Sequence, residues 1–274
     1  MSNAAAATPN ASPEASGTGG VPGLLASVWT IVQLESLKIL KDPAEIASRS
    51  VQPALWLLLF GEAFSRSATL NTGGVPYLAY LTPGILAQAV TFVSIFNGLS
   101  IIWEKDMGLM QKILSTPITR TALVLGKMLS ASTRSFFQLL VVTALALALG
   151  LRFEWGVGRV LGILALTVLG SSFFTGLSMI LASIVRTRER MMGIGQLATM
   201  PLFFASSALY PVAAMPPWLR AFSRVNPMSY LVDGLRGLML SPGSTGFAVD
   251  AGVLLGLGIA ALAVATWRYP KLLL

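Results

Sequence analysis

Residues 77–102, YLAYLTPGILAQAVTFVSIFNGLSII, contain no charged side chain. A helix needs about 20 apolar residues to cross a hydrocarbon core of about 30 Å, so this stretch is long enough to span a membrane. Further runs with little or no charge cover residues 51–64, 135–151, 160–185, 191–209 and 251–267. The first of these reaches full length when it is extended back to Ala44. The pattern therefore predicts six membrane spans.

The composition supports a membrane protein over a soluble one. The chain is 54% hydrophobic and only 11% charged, whereas soluble domains average about 25% charged residues. It contains no Cys and no His, which excludes the usual zinc, haem and thiolate sites, and we predict neither a metal site nor catalytic residues. The acid within an apolar run, Glu62, precedes Arg66 by four residues, and we interpret the two as a pair at a hydrated helix end.

The distribution of Lys and Arg predicts the orientation. With the N-terminus inside, 13 of the 19 basic residues fall in inner segments and 6 in outer ones, which is the bias expected for cytoplasmic loops. We therefore expect an inner-membrane (plasma-membrane) protein of a bacterium with both termini in the cytoplasm. The net charge of +8 is spread over several loops, which argues against a nucleic-acid partner.

The N-terminal region divides into two parts. Residues 1–22 are rich in Ala, Ser, Pro and Gly, which is typical of a disordered tail. Residues 23–43 repeat apolar side chains at helical spacing and end in Lys38 and Lys41, which predicts an amphipathic helix on the inner membrane surface. The alternative is a cytoplasmic extension of the first span. Residues 44–274 would then form the six-span domain.

Residues 103–127, WEKDMGLMQKILSTPITRTALVLGK, form a polar interruption between two apolar runs. The spacing predicts a short helix with Leu109 and Ile113 on one face, followed by a second helix that is capped by Ser115 or Thr116 and has Pro117 at its first position. A short helix with an apolar face between charges is typical of a docking element for a soluble partner. The alternative is an ordinary interfacial loop.

Residues 212–241 are too polar to span a membrane and too apolar for a free loop. Prolines divide the segment, so we predict a pair of short helices on the outer side. The alternative is an amphipathic cap that rests on the outer surface. The residues expected to shape this hairpin are Pro216, Pro217, Trp218, Asn226, Pro227, Tyr230 and Arg236.

Three motifs in order resemble the permeases of type-2 ATP-binding-cassette exporters, a class that includes the daunorubicin-resistance and nodulation-factor permeases and the O-antigen exporters. The first motif comprises Glu104, Gly108, Leu109, Leu114, Ser115, Thr116, Pro117, Arg120, Gly126 and Lys127. The second lies in NPMSYLVDGLRGLML, residues 226–240, and the third is LTPGILAQ with Pro83 and Gly84. The resemblance covers roughly residues 25–268.

The resemblance implies a partner that supplies the energy. In that family the segment matching 103–127 inserts into an ATPase subunit, and the segment matching 212–241 is a re-entrant hairpin. Two permease copies, expected here as a homodimer, work with two ATPase subunits that bind ATP and Mg²⁺, and membrane lipid surrounds them. No cofactor is implied on this chain, whose Gly126-Lys127 pair lacks the rest of a phosphate-binding loop. The implied coupling residues are Glu104, Lys105, Asp106, Gly108, Leu109, Ile113, Pro117 and Arg120.

The cargo is constrained only by the lining of the spans. Uncharged spans suit a lipophilic or amphiphilic compound, drug-like or lipid, and a lipid-linked glycan or polysaccharide is the alternative. Aromatic and Met side chains would provide adaptable contacts; the candidates are Phe92, Phe96, Phe173, Phe174, Met200, Phe203 and Phe204. A secondary transporter or a membrane-bound lipid enzyme are the alternatives of another class, and both need ionisable clusters that the spans do not show.

Overall fold

The computed structural model describes residues 21–65, 74–108, 118–153, 155–185, 188–240 and 246–273. Within these residues the chain is an assembly of α-helices joined by turns. The helices are α1 (Val21–Lys41), α2 (Pro43–Ser65), α3 (Tyr77–Asp106), α4 (Arg120–Ala148), α5 (Val157–Ala182), α6 (Arg188–Phe204), α7 (Pro217–Val225), α8 (Pro227–Leu240) and α9 (Phe247–Leu273), with a 3₁₀ turn at Val212–Ala214. The all-α fold class is confirmed for this part of the chain.

Within the described residues, four helices are long and apolar enough to cross a membrane, namely α3, α4, α5 and α9. The other two predicted spans fall on α2 and α6. Helix α2 has Glu45 in its first turn and Pro53 in its interior, and the apolar part of α6 extends only from Met192 to Phe204. The count of six spans therefore stays a prediction.

Helix α1 begins two residues before the predicted amphipathic segment, because Val21 and Pro22 are already helical. These two residues were predicted in the tail, and residues 1–20 lie outside the described part. Asp42 ends α1 and caps α2 by accepting a hydrogen bond from the backbone N–H of Glu45 at 3.2 Å. Pro43 then occupies the first helical position, where its missing N–H removes no intrahelical bond.

Helix α3 lies at the centre of the fold and packs against α2, α4, α5, α6 and α8. Its contact with α5 is close because small side chains meet there. Thr175 and Ser178 of α5 donate hydrogen bonds to the carbonyls of Ser94 and Ile95 at 3.1 and 2.6 Å. Few side chains of α9, in contrast, are buried, so this helix lies at the periphery.

Candidate functional site

The C-terminal end of α3, predicted to lie on the inner side of the membrane, carries the first part of the predicted coupling segment. The helix includes Glu104, Lys105 and Asp106, and Gly108 then turns the chain with a φ of 69°, a conformation that favours glycine. Arg120 is exposed at the start of α4. The remaining predicted coupling residues, Leu109, Ile113 and Pro117, lie outside the described residues, as do the side chains of Lys105, Asp106 and Glu62.

The predicted start of the second coupling helix is wrong. Helix α4 begins at Arg120, and Thr119 is its N-cap, with an extended backbone and a side chain that accepts a hydrogen bond from Ala122 N–H at 3.3 Å. Ile118 and Thr119 are not helical, so a helix does not run on from Pro117. The Thr119 hydroxyl accepts a hydrogen bond from one of the free N–H groups of the first turn. The helix therefore starts three residues later than predicted.

A group of charged residues with a buried centre, which we call the inner ion cluster, lies directly behind the coupling segment. It comprises Glu35, Lys38, Glu45, Arg49, Glu104, Lys127 and Arg134. Its centre is the ion pair of Lys127 Nζ with Glu104 Oε1 at 2.6 Å. Lys127 also lies 3.6 Å from Glu35, so one α4 lysine connects the end of α3 to α1.

Arg134 extends the inner ion cluster by one more helix. It lies 3.7 Å from Glu35 of α1 and 3.4 Å from Glu45 of α2, and it donates a hydrogen bond to Asn97 Oδ1 of α3 at 2.7 Å. Asn97 in turn donates to the backbone carbonyl of Lys127 at 3.3 Å. Four helices therefore meet through charged and polar contacts at the inner end of the bundle.

The centre of the inner ion cluster is desolvated. The side chains of Lys127 and Glu104 are only 5% and 10% exposed, and a buried ion pair is strongly destabilised when one partner is removed. Burial alone would raise the pKa of Glu35, but Lys127, Lys38 and Arg134 together hold it below its ordinary value. Glu35 therefore stays ionised at neutral pH.

Close approach of α1 to α4 makes this cluster possible. At Gly126 an added Cβ would lie 2.8 Å from Ile31 Cβ, so only glycine lets the two helices pack at this distance. Glu35, Glu45, Asn97 and Arg134 were not predicted as site residues from the sequence. A signal did exist, because Glu35 lies four residues after Ile31 and so occupies the buried face of α1.

The predicted outer hairpin consists of α7 and α8, with Asn226 between them. Asn226 is the N-cap of α8, because its Oδ1 accepts a hydrogen bond from Met228 N–H at 3.0 Å, and Pro227 takes the first helical position. The Asn226 side chain also donates to the carbonyl of Leu202 in α6 at 2.7 Å. Tyr230 donates its hydroxyl to the carbonyl of Arg224 at 2.6 Å, which closes the corner.

A second polar group, which we call the outer polar cluster, fixes α8 to α3 and comprises Tyr80, Ser207, Asp233 and Arg236. The guanidinium of Arg236 lies 3.8 Å from the centre of the Tyr80 ring and donates to the carbonyl of Ser207 at 2.7 Å. The Ser207 hydroxyl donates to Asp233 at 2.6 Å. Among the other predicted hairpin residues, Pro216, Pro217 and Trp218 are exposed, so they do not contribute to this contact.

The predicted pathway residues differ in how deeply the fold buries them. Phe173, Phe174 and Phe203 are buried in the core, whereas Phe204 is exposed and Met200 is partly buried. Phe92 and Phe96 stack at 5.9 Å between their ring centres and line a cavity. Contact of any of them with a cargo stays a prediction.

The long apolar helices and the polar segment that follows α3 agree with a polytopic transport permease. The family model of ABC-2 type transporters matches residues 26–240, and the chain belongs to that family. Permeases of this family work with an ATP-binding-cassette ATPase subunit.

Individual relatives agree with this assignment. The chain is 26% identical over 215 residues to the ycf38 protein of Porphyra purpurea, named as a transport permease, covering 78% of this chain and 74% of that protein. It is 27% identical over 222 residues to the daunorubicin resistance ABC transporter permease protein DrrB1 of Streptomyces coeruleorubidus, covering 81% and 77%. It is 25% identical over 201 residues to nodulation protein J of Neorhizobium galegae, covering 72% and 75%.

Proposed function

We propose that this chain is the membrane subunit of an ATP-driven exporter that moves a lipophilic or amphiphilic compound out of the cytoplasm or the inner leaflet. Two copies would form the pathway, and two ATPase subunits would bind at the segment 103–127. ATP binding and hydrolysis on those subunits would supply the free energy. We place both termini in the cytoplasm and the chain in a bacterial inner membrane, in line with the distribution of basic residues.

The observation that carries the proposal is the inner ion cluster behind the coupling segment. Glu104 lies at the last turns of α3, immediately before the segment that would contact the ATPase, and it is bonded to Lys127 of α4. A displacement of the segment therefore acts directly on a buried ion pair that also connects to α1 and α2. Because buried pairs tolerate little change in geometry, a movement there is passed to four helices rather than absorbed locally.

The same movement would be transmitted through α3 to the outer polar cluster. Arg236 holds α8 against α3 by donating a hydrogen bond to the Tyr80 carbonyl at 3.3 Å, and the same α3 carries Glu104 at its inner end. A shift of α3 therefore reaches the outer hairpin through one continuous helix. We propose that the hairpin opens the pathway when α3 moves.

The experiment is co-expression of the chain with the ATPase subunit encoded nearest to it, followed by purification on a tag carried by the permease. We expect the ATPase to co-purify and the pair, in inverted vesicles, to accumulate a lipophilic dye only when ATP is present. A hydrolysis-deficient ATPase is the matched control and should bind but not transport. Transport that needs an ion gradient and no ATPase would instead identify a secondary transporter.

A further inference from the structure

A cavity of about 320 Å³ lies between α2, α3 and α6. Its polar lining consists of Ser48, Arg49 and Gln52 from α2, Gln88 from α3 and Gln196 from α6. The spans were predicted to be uncharged, but the fold brings one cation, one hydroxyl and three amides to the same space. The volume lies in the range of small-molecule sites, which are lined by apolar walls with a few convergent polar groups.

Gln88 is the first sign that this cavity binds a ligand. Its side chain is only 2% exposed, and neither its amide nitrogen nor its amide oxygen has a hydrogen-bond partner among the described residues. An amide buried without partners is unfavourable. Because the group offers both a donor and an acceptor, it fits a ligand hydroxyl or carbonyl that lies inside the cavity.

Arg49 indicates that the ligand carries a negative charge. Its Nε donates to Glu45 at 3.1 Å, and no other hydrogen bond joins this guanidinium to a described residue. The inner ion cluster contains four basic residues, Lys38, Arg49, Lys127 and Arg134, against three acids, Glu35, Glu45 and Glu104. The seven residues of the cluster therefore carry a net charge of +1, and Arg49 is the residue of the cluster that lines this cavity.

The apolar part of the lining completes the pattern. Phe92 and Phe96 stack along one wall, and the guanidinium of Arg49 lies 5.6 Å from the centre of the Phe96 ring. We propose that the cavity binds an amphiphile whose anionic group contacts Arg49, whose hydroxyl or carbonyl group contacts Gln88, and whose apolar part lies along Phe92 and Phe96. That this amphiphile is the cargo rests on the proposed function, whereas the binding site itself does not.

The test measures binding to the full chain in nanodiscs of phosphatidylcholine without any ATPase. The probes are fluorescent phosphatidic acid and fluorescent phosphatidylcholine with identical acyl chains. We expect the native chain to prefer phosphatidic acid, and Arg49→Gln to weaken that binding at least about tenfold, which corresponds to about 1.4 kcal/mol. Arg152→Gln removes an exposed arginine elsewhere and should leave the preference unchanged.

Gln88→Leu is the second variant, because it breaks no hydrogen bond to a described residue and should fold normally. It should weaken phosphatidic acid binding severalfold while the thermal stability stays equal or rises. If both variants bind as the native chain does, or if the native chain does not distinguish the two lipids, the site is refuted. Normal binding by Gln88→Leu together with a higher stability would mean that the amide contacts water only, which also refutes it.

A further experiment distinguishes a resident lipid from a cargo. With the ATPase subunit added, ATP should release bound phosphatidic acid or move it to the other leaflet if such amphiphiles are cargo. Lipid that stays bound through ATP hydrolysis supports the site with a resident membrane lipid as its ligand. Loss of ATP-driven transport with intact binding would count against the proposed function and leave the site standing.

Discussion

Removing one partner of the Glu104–Lys127 pair should destabilise the chain by an amount that depends on which partner is removed. Lys127→Met leaves Glu104 with no counter-ion among the described residues, and one oxygen of that carboxylate already has no hydrogen bond. Glu104→Gln leaves Lys127 with Glu35 at 3.6 Å. Breaking a buried pair costs about 3–5 kcal/mol, so we expect about 5 kcal/mol for Lys127→Met and about 3 kcal/mol for Glu104→Gln.

The double variant distinguishes a pair interaction from general damage. Removing both charges leaves neither partner buried alone, and such a replacement is often close to neutral. Glu104→Gln with Lys127→Met should therefore cost less than Lys127→Met alone, which corresponds to a coupling energy of at least about 3 kcal/mol. The assay is equilibrium unfolding in mixed micelles titrated with a denaturing detergent.

Lys38→Met provides the matched control within the same cluster. Lys38 lies 2.8 Å from Glu35, but its side chain is 57% exposed, so solvent screening should keep its effect below about 1 kcal/mol. If Lys127→Met costs no more than Lys38→Met, or if the double variant costs the full sum, the pair does not hold the helices together. Glu104→Gln should also retain ATPase binding yet export poorly, measured at equal membrane levels.

Three further outcomes are expected. Asn226→Ala combined with Pro227→Ala removes the α8 cap and the bond to α6, at about 1–3 kcal/mol, and should impair export in vesicles without loss of ATPase binding; normal export would reduce the hairpin to a passive cap. Leu109→Asp should abolish co-purification of the ATPase, because an unpaired charge at a desolvated interface costs several kcal/mol, and full binding would show that the docking face is wrongly assigned. In the otherwise Cys-free chain, a cysteine at Ser115 should resist an impermeant thiol reagent in intact cells whereas one at Asn71 should react, and the reverse labelling would overturn the topology.

The spans could be predicted because a long charge-free run requires no tertiary information. Residues 77–102 and 160–185 correspond to α3 and α5 for that reason. The Asn226-Pro227 corner could also be predicted from the sequence, since a cap and a proline at the first helical position act locally. Local rules failed at the start of α4, where the Ser-Thr-Pro sequence and Thr119 both offer a cap, and the structure uses Thr119.

The inner ion cluster could not be assembled from the sequence. Glu35 and Arg134 are about one hundred residues apart, and their proximity depends on how closely α1 packs on α4. The same holds for Gln88, which in the sequence is one polar residue in an apolar run and becomes notable only when the fold leaves its amide without a partner. Charges on a buried helix face are the sequence signal that would have pointed to the cluster.

The contact of Gly126 with Ile31 has a consequence for how this chain can diverge. Because the clash at position 126 involves the first side-chain carbon of residue 31, shortening Ile31 to Val or Ala would not make room for a side chain on α4. Only glycine at position 31, or a wider crossing of the two helices, would allow one. Among relatives, we therefore expect positions 31 and 126 to change together, with glycine at one of the two positions whenever the other carries a larger residue.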